Sequence, residues 1–259
     1  MLRIKRQLVL LVRIIWDFIH GMYVFHMVDP CVTVFGSARL TRQSSAYQAA
    51  CKVGAALGEN GFTVMTGGGP GLMEAASRGA REAGGKCVAC RISLTLEQDS
   101  NNYIDRSVTF RYFFVRKVML VRNSCALVVL PGGLGTLDEL FEVLTLIQTK
   151  KVAAMPIVFF GTDYWKPLLD VFRFMVGAGT ISAEEMELVT SLMLVTDDIH
   201  EMISHLKAKS ALPGLGRSST PNAEPPSGQY SGAAKAAHLA KVAASDSACH
   251  ESWQQDRYL

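Results

Sequence analysis

The sequence predicts an α/β protein: a doubly wound parallel sheet with helices on both faces. Three observations predict it. Short apolar runs alternate with amphipathic helical periods through the middle of the 259-residue chain. The run at residues 126–130, Ala-Leu-Val-Val-Leu, carries no polar residue, as a strand covered on both faces does. Three apolar runs end in glycine-containing turns, and two of those turns lead straight into helices, as the junctions of a parallel sheet require.

The elements follow in chain order. At the N-terminus Arg3, Lys5 and Arg6 precede a very apolar stretch at residues 8–19, in the manner of a signal peptide. Arg13 interrupts that stretch, Asp17 follows, and no small-residue cleavage site comes next. A membrane span needs about 20 nearly uncharged residues, which these do not supply. The expectation is an amphipathic helix over residues 1–27 that packs on the domain or on a partner subunit, without stable membrane insertion. Peripheral membrane contact is the lesser reading.

Residues 32–35 read as a strand ending at Gly36. Residues 44–60 read as a helix, with Ala46, Ala50, Val53 and Leu57 along one face and Gly61 as its stop. A strand at 62–66, a helix at 72–83 closed by Gly84 and Gly85, and a strand at 86–92 come next. After a longer connection there follow a helix at 112–123, the strand at 126–130 and a helix at 137–148. A strand at 156–160, helices at 165–176 and 182–188, a strand at 192–195 and a final helix from Asp197 to about residue 207 complete a domain over residues 28–209. Beyond residue 209 the composition turns to Ala, Ser, Pro and Gly with few large apolar residues. Such a segment buries too little surface to offset its ordering entropy, so residues 210–259 are expected to be a disordered tail.

Composition excludes some chemistry. Hydrophobic residues make up 49% and the net charge is only +3, with Lys and Arg spread along the chain, which speaks against a nucleic-acid partner. Of six cysteines, Cys87 and Cys90 form a C-x-x-C, but within a strand their side chains point to opposite faces. Reduced, mostly buried thiols in a cytoplasmic protein are expected, with no metal and no cofactor.

The chemistry lies at three strand ends: Gly36-Ser37, Gly67-Gly68-Gly69-Pro70-Gly71 and Gly132-Gly133-Leu134-Gly135-Thr136. Glycine lets backbone N–H groups approach an anion, and a helix N-terminus favours negative charge. A phosphate is the expected guest. Neither dinucleotide nor triphosphate fingerprints occur, so a monophosphate is the simpler ligand. Glu139 stands just beyond the last loop. It reads either as the N3 member of a capping box with Thr136 or as a carboxylate acting on a ribose 5-phosphate. Arg116 and Lys117 are candidates for substrate contact. Glu74 could equally be a dipole-favoured helix residue.

Thr66-Gly-Gly-Gly-Pro-Gly-Leu-Met-Glu74, Tyr112-Phe-Phe-Val-Arg-Lys117 and Pro131-Gly-Gly-Leu-Gly-Thr-Leu-Asp-Glu139 resemble the Lonely Guy (LOG) family. Phe35-Gly-Ser-Ala-Arg39 and Phe159-Phe-Gly-Thr-Asp-Tyr-Trp165 fit it too, and the resemblance covers roughly residues 28–206. That family comprises cytokinin-activating phosphoribohydrolases, often mislabelled lysine decarboxylases. The resemblance implies a Rossmann-like fold and hydrolysis of the N-glycosidic bond of AMP or N6-modified AMP to free base and ribose 5-phosphate. It implies a homodimer or larger homo-oligomer with sites near the subunit interface. Carried over, Arg116 and Glu139 are the catalytic pair. Lys117, Gly133, Gly135, Thr136, Thr145 and Glu97 match its substrate-binding positions, and Gly36, Ser37, Gly68, Gly69, Gly71, Met73, Glu74 and Gly132 are added to them as candidates from the loops. Arg91 stands where smaller residues are usual, so it is expected to alter the pocket; the long tail is not a family feature. The alternative is a non-catalytic Rossmann-like carrier of a nucleotide or cofactor. A true lysine decarboxylase would need a pyridoxal phosphate lysine, and no Lys has a recognisable context for one.

Overall fold

The computed structural model describes residues 2–26, 28, 31–93 and 101–210, all within one compact unit, Met1–Arg217. Of the tail expected at residues 210–259, Ser210 is the last residue of the final helix, and residues 211–259 lie outside the described residues, as does Glu97. The strands are β1 (Cys31–Phe35), β2 (Thr63–Thr66), β3 (Cys87–Ile92), β4 (Arg106–Phe110), β5 (Ser124–Val129), β6 (Ile157–Phe160) and β7 (Met193–Thr196). The helices are α1 (Leu2–Phe25), α2 (Ser45–Glu59), α3 (Leu72–Glu82), α4 (Phe113–Arg122), α5 (Leu134–Gln148), α6 (Thr162–Gly177), α7 (Ala183–Leu192) and α8 (Ile199–Ser210).

All seven strands are parallel, in the order β4-β3-β2-β1-β5-β6-β7. This is the expected Rossmann-like, doubly wound sheet. Alternate residues of each strand feed two cores. On one face Val32, Val34, Val64, Ala126 and Val128 pack against Ala50, Leu57, Ala76 and Met202 of α2, α3 and α8. On the other, Phe35, Met65, Leu127 and Phe159 pack against α4, α5, α6 and α7 through Met119, Leu140, Trp165 and Leu192. Cys87 belongs to the first core and Cys90 to the second, so the C-x-x-C pair is split across the sheet. Burial pushes the Cys87 thiol up to about 12 and raises Cys90 as well, so both are neutral packing residues.

Two elements differ from expectation. The connection after β3 contains the edge strand β4, whose Arg106, Ser107 and Thr109 are exposed while Val108 and Phe110 face the core. A half-polar edge strand lacks the apolar run that marks a central one, and the register Val88↔Arg106 through Ile92↔Phe110 defines it. The second is α1, 24 residues long. Its segment Ile4–Phe25 has mean hydropathy 1.7 and is long and apolar enough to cross a membrane, contrary to the expectation drawn from Arg13 and Asp17. Two charges in the stretch from residue 8 onward are too few to lower the average. Its C-terminal half does dock as expected. Asp17, Gly21 and Phe25, four apart, form the buried stripe. Asp17 pairs with the Arg111 guanidinium and accepts from the Arg111 N–H at 3.0 Å.

The α2–α3 contact is backbone against backbone. A methyl group at Gly54 would run into the Ala76 carbonyl, and one at Gly79 into the Cys51 carbonyl. Neither obstacle can rotate away. Gly79→Ala should therefore destabilise the fold by about 1–3 kcal/mol or more, read as a lower urea midpoint. Gly177→Ala, which meets nothing within 4 Å, should leave the midpoint unchanged or raise it slightly.

Candidate functional site

The candidate site lies at the carboxyl ends of β2, β1 and β5, where ligands sit in sheets of this kind. The strand order reverses between β1 and β5, because β2, β3 and β4 build outward on one side of β1 and β5, β6 and β7 on the other. The three expected loops meet over this crevice. Ser37 N–H donates to Pro131 O at 3.0 Å, Leu72 N–H to Ser37 O at 2.9 Å, and Gly68 N–H to Thr66 Oγ1 at 3.1 Å. Gly71, at φ 70°, could not bear a side chain without striking Ser37 O. Gly36 lets Leu72 and Leu130 close over it, and Gly132 is pressed against the Thr136 side chain. Gly69 is buried beside them.

Both helices that leave these loops begin on a glycine with no side-chain cap: Gly71 for α3 and Gly133 for α5. Helix N-termini carry N–H groups without intrahelical acceptors, and here no side chain takes them. Gly133 and Gly135 have nothing within 4 Å of where a Cβ would lie, so this end of α5 is open to a ligand.

Helix α5 starts at Leu134, three residues before the expected start, and this removes the capping-box reading of Thr136 and Glu139. Thr136 lies inside the first turn, and Glu139 points elsewhere. The capping box in this protein is Ser182 with Glu185, at the start of α7. Glu139 Oε1 instead lies 2.7 Å from Arg116 Nη1 on α4, with both side chains nearly buried. Arg116 is anchored a second time, its Nε donating to Cys90 O at 2.8 Å. Gly67 provides the room: a Cβ there would strike Arg116 Nη2 and Met73 Sδ. Burial raises the Glu139 pKa above its ordinary value, and the neighbouring Arg116 charge opposes that rise without cancelling it.

Not every expected residue converges on this pair. Lys117 bridges Asp138 at 2.8 Å and Glu142 at 3.1 Å, one ridge over on α5. Thr145 lies further along α5, exposed, its hydroxyl donating to Phe141 O at 2.7 Å. Glu74 is held by Arg42 at 2.6 Å and by the Tyr47 hydroxyl at 2.9 Å. Ser37 Oγ accepts from Arg39 N–H at 3.1 Å. Arg91, at the end of β3, lays its stem across the loop, with Cγ 2.8 Å from where a Gly68 Cβ would be.

Sequence reading missed three contributors: Gly67, the Cys90 carbonyl, and the Arg42–Tyr47 clasp on Glu74. Gly67 stands in the glycine run and was within reach. The other two depend on distant segments meeting and leave no local signal.

Comparisons with known proteins fit this architecture. A family model described as "Possible lysine decarboxylase" matches residues 73–206, more than half of the chain. The cytokinin riboside 5′-monophosphate phosphoribohydrolase LOG3 of Arabidopsis thaliana is 30% identical over 164 residues, covering 62% of this chain and 75% of that protein. The Mycobacterium tuberculosis enzyme of the same name is 34% identical over 119 residues, 45% of this chain and 63% of its own length. Among solved structures, the molybdenum cofactor carrier protein of Chlamydomonas reinhardtii superposes with a TM-score of 0.53 at 24% identity, over 71% of this chain and 99% of that one. At that identity the likeness extends to the fold alone. With the family model spanning most of the sheet and a relative matched over three-quarters of its length, the chain belongs to the LOG family.

Proposed function

We propose that this protein hydrolyses the N-glycosidic bond of nucleoside 5′-monophosphates, AMP or N6-modified AMP, to the free base and ribose 5-phosphate. The observation that carries the reading is the nearly buried Arg116–Glu139 pair beside the open, uncapped start of α5. A buried carboxylate with a raised pKa, next to an anion site, is unfavourable for stability and fits a chemical role. The 5′-phosphate lies on the first-turn N–H groups of α5 after Gly133 and of α3 from Met73 onward, the Leu72 N–H being held by Ser37 O. Glu139, one turn deeper, faces the ribose, where it stabilises positive charge at C1′ as the bond to the base breaks and draws a proton from the attacking water. Water supplies the hydroxyl on C1′, and its proton balances the departing base. Arg116 holds Glu139 in place through Nη1, and Nη2 is left for substrate among the described residues.

A carrier of the same fold would need the loops but not this pair. Incubation with AMP separates the readings: free adenine and ribose 5-phosphate support hydrolysis, and intact bound AMP would sink it. We also place a second copy against the exposed Phe113, Phe114 and Leu134, which flank the site on α4 and α5. Thr145 and Lys117 would then lie close to that interface.

A further inference from the structure

We propose that α1 is a docking device for an anionic lipid bilayer, its N-terminal half immersed in the bilayer and its C-terminal half held on the domain. Beyond Asp17 toward the N-terminus, no residue of α1 with a described side chain is fully buried, and Ile4, Leu8, Val9, Leu10, Leu11, Val12, Ile15 and Trp16 are exposed, Leu8 by 60%. Residues 8–12 are five consecutive apolar positions. At about 100° per residue they cover the whole circumference of the helix. The domain itself covers only one stripe of the helix, Asp17, Gly21 and Phe25. An all-round apolar surface is met in a protein core or in lipid, and the exposed charge around this one favours lipid.

Charge selects the kind of bilayer. The sole acidic residue of α1 is Asp17, which is buried and paired with Arg111. Lys5, Arg6 and Arg13 are all exposed, so the accessible charge of the helix is positive. That pattern fits anionic headgroups. Trp16 and Tyr23, exposed by 60% and 76%, are aromatic residues of the type that settle at a membrane–water boundary. The immersed half leaves the docked stripe untouched, so the catalytic domain keeps its packing while the helix binds lipid. The inference does not depend on the proposed reaction.

The test is flotation of the full chain with phosphatidylcholine vesicles, with and without phosphatidylglycerol. The protein should float with the anionic vesicles and far less with the neutral ones. Replacing Lys5, Arg6 and Arg13 by Gln should weaken anionic binding on the order of a hundredfold. Leu8→Asp with Leu11→Asp, both exposed positions, should abolish flotation while the circular dichroism spectrum and the mass in solution stay as they were. Three results would overturn the proposal. One is no flotation with either vesicle. Another is a double variant that still floats but dissociates from a larger assembly into a smaller one, which would assign the helix to a second copy. The third is an intact mass showing that the segment before Arg13 has been cleaved from the protein as isolated from cells, which would make it a signal sequence.

Discussion

Glu139→Gln should lower kcat for AMP on the order of a thousandfold while leaving AMP binding and the fold in place. Glutamine keeps the size of the side chain and an acceptor for Arg116 Nη1, but it can neither take a proton nor offset positive charge at C1′. The effect on stability should be small for a specific reason. Glu139 has a folded-state pKa above its ordinary value, set first by burial. A raised carboxyl pKa means that the folded state holds the proton more tightly than the unfolded chain. The stability it contributes is therefore complete at low pH and is lost as pH rises through the folded pKa. Above the folded pKa the ionised Glu139 is a burden that Arg116 only partly relieves; the neutral isostere removes that burden but leaves the Arg116 charge unpaired, and because the two changes oppose each other Tm should stay within a few degrees of wild type. The same shift sets the direction of the pH profile. If ionised Glu139 is the active form, kcat/KM should fall on acidification at a pH above the ordinary glutamate range, and this limb should vanish from the residual activity of the variant. Turnover within a few-fold of wild type in Glu139→Gln would reduce the pair to a structural ion bridge.

The phosphate should matter as much as the carboxylate. Nucleoside 5′-monophosphates should exceed the parent nucleosides in kcat/KM by about a hundredfold or more. Two charge-assisted hydrogen bonds of roughly 1.5–3 kcal/mol each already amount to that. Part of the difference should appear in kcat, because binding energy at the phosphate positions C1′ against Glu139. The open start of α5 offers a cleaner test than deletion. At Gly135→Asp the new Cβ meets nothing within 4 Å, and an acidic residue in the first helical turn favours the fold. The same carboxylate occupies and repels the anion site. AMP hydrolysis should collapse toward the adenosine rate, with Tm unchanged or higher. Arg116→Ala should narrow the AMP-to-adenosine ratio only in part, since Arg116 already spends Nε on Cys90 O and Nη1 on Glu139. Equal kcat/KM for AMP and adenosine on the wild-type protein would remove the phosphate cradle from the mechanism.

Much of this was legible in the residues alone. The order of strands and helices follows from periodicity, which is a local property: Ala50, Val53 and Leu57 lie on one helical face, and the apolar run at residues 126–130 makes a central strand. The glycine loops are local too, because close backbone approach requires a residue without a side chain. Cys87 and Cys90 were separable for the same reason, since a strand sends them to opposite faces.

Other features were decided only by tertiary contact. Strand β4 owes its existence to pairing with β3, and its exposed polar residues hide it from any pattern search. Helix α5 begins at Leu134 because the Gly132-Gly133 turn lets it, which frees Glu139 from a capping role that Thr136 and its spacing suggested equally well. The meeting of Arg116 with Glu139, Cys90 O and Gly67 joins α4, α5, β3 and the β2–α3 loop. The docked half of α1 likewise rests on Asp17 meeting Arg111, far along the chain. The sequence by itself determined where backbone must bend and which faces must be apolar, because those demands act between near neighbours. Which charged groups face one another depended on how the sheet brings distant strand ends together, and burial then raised the pKa of Glu139.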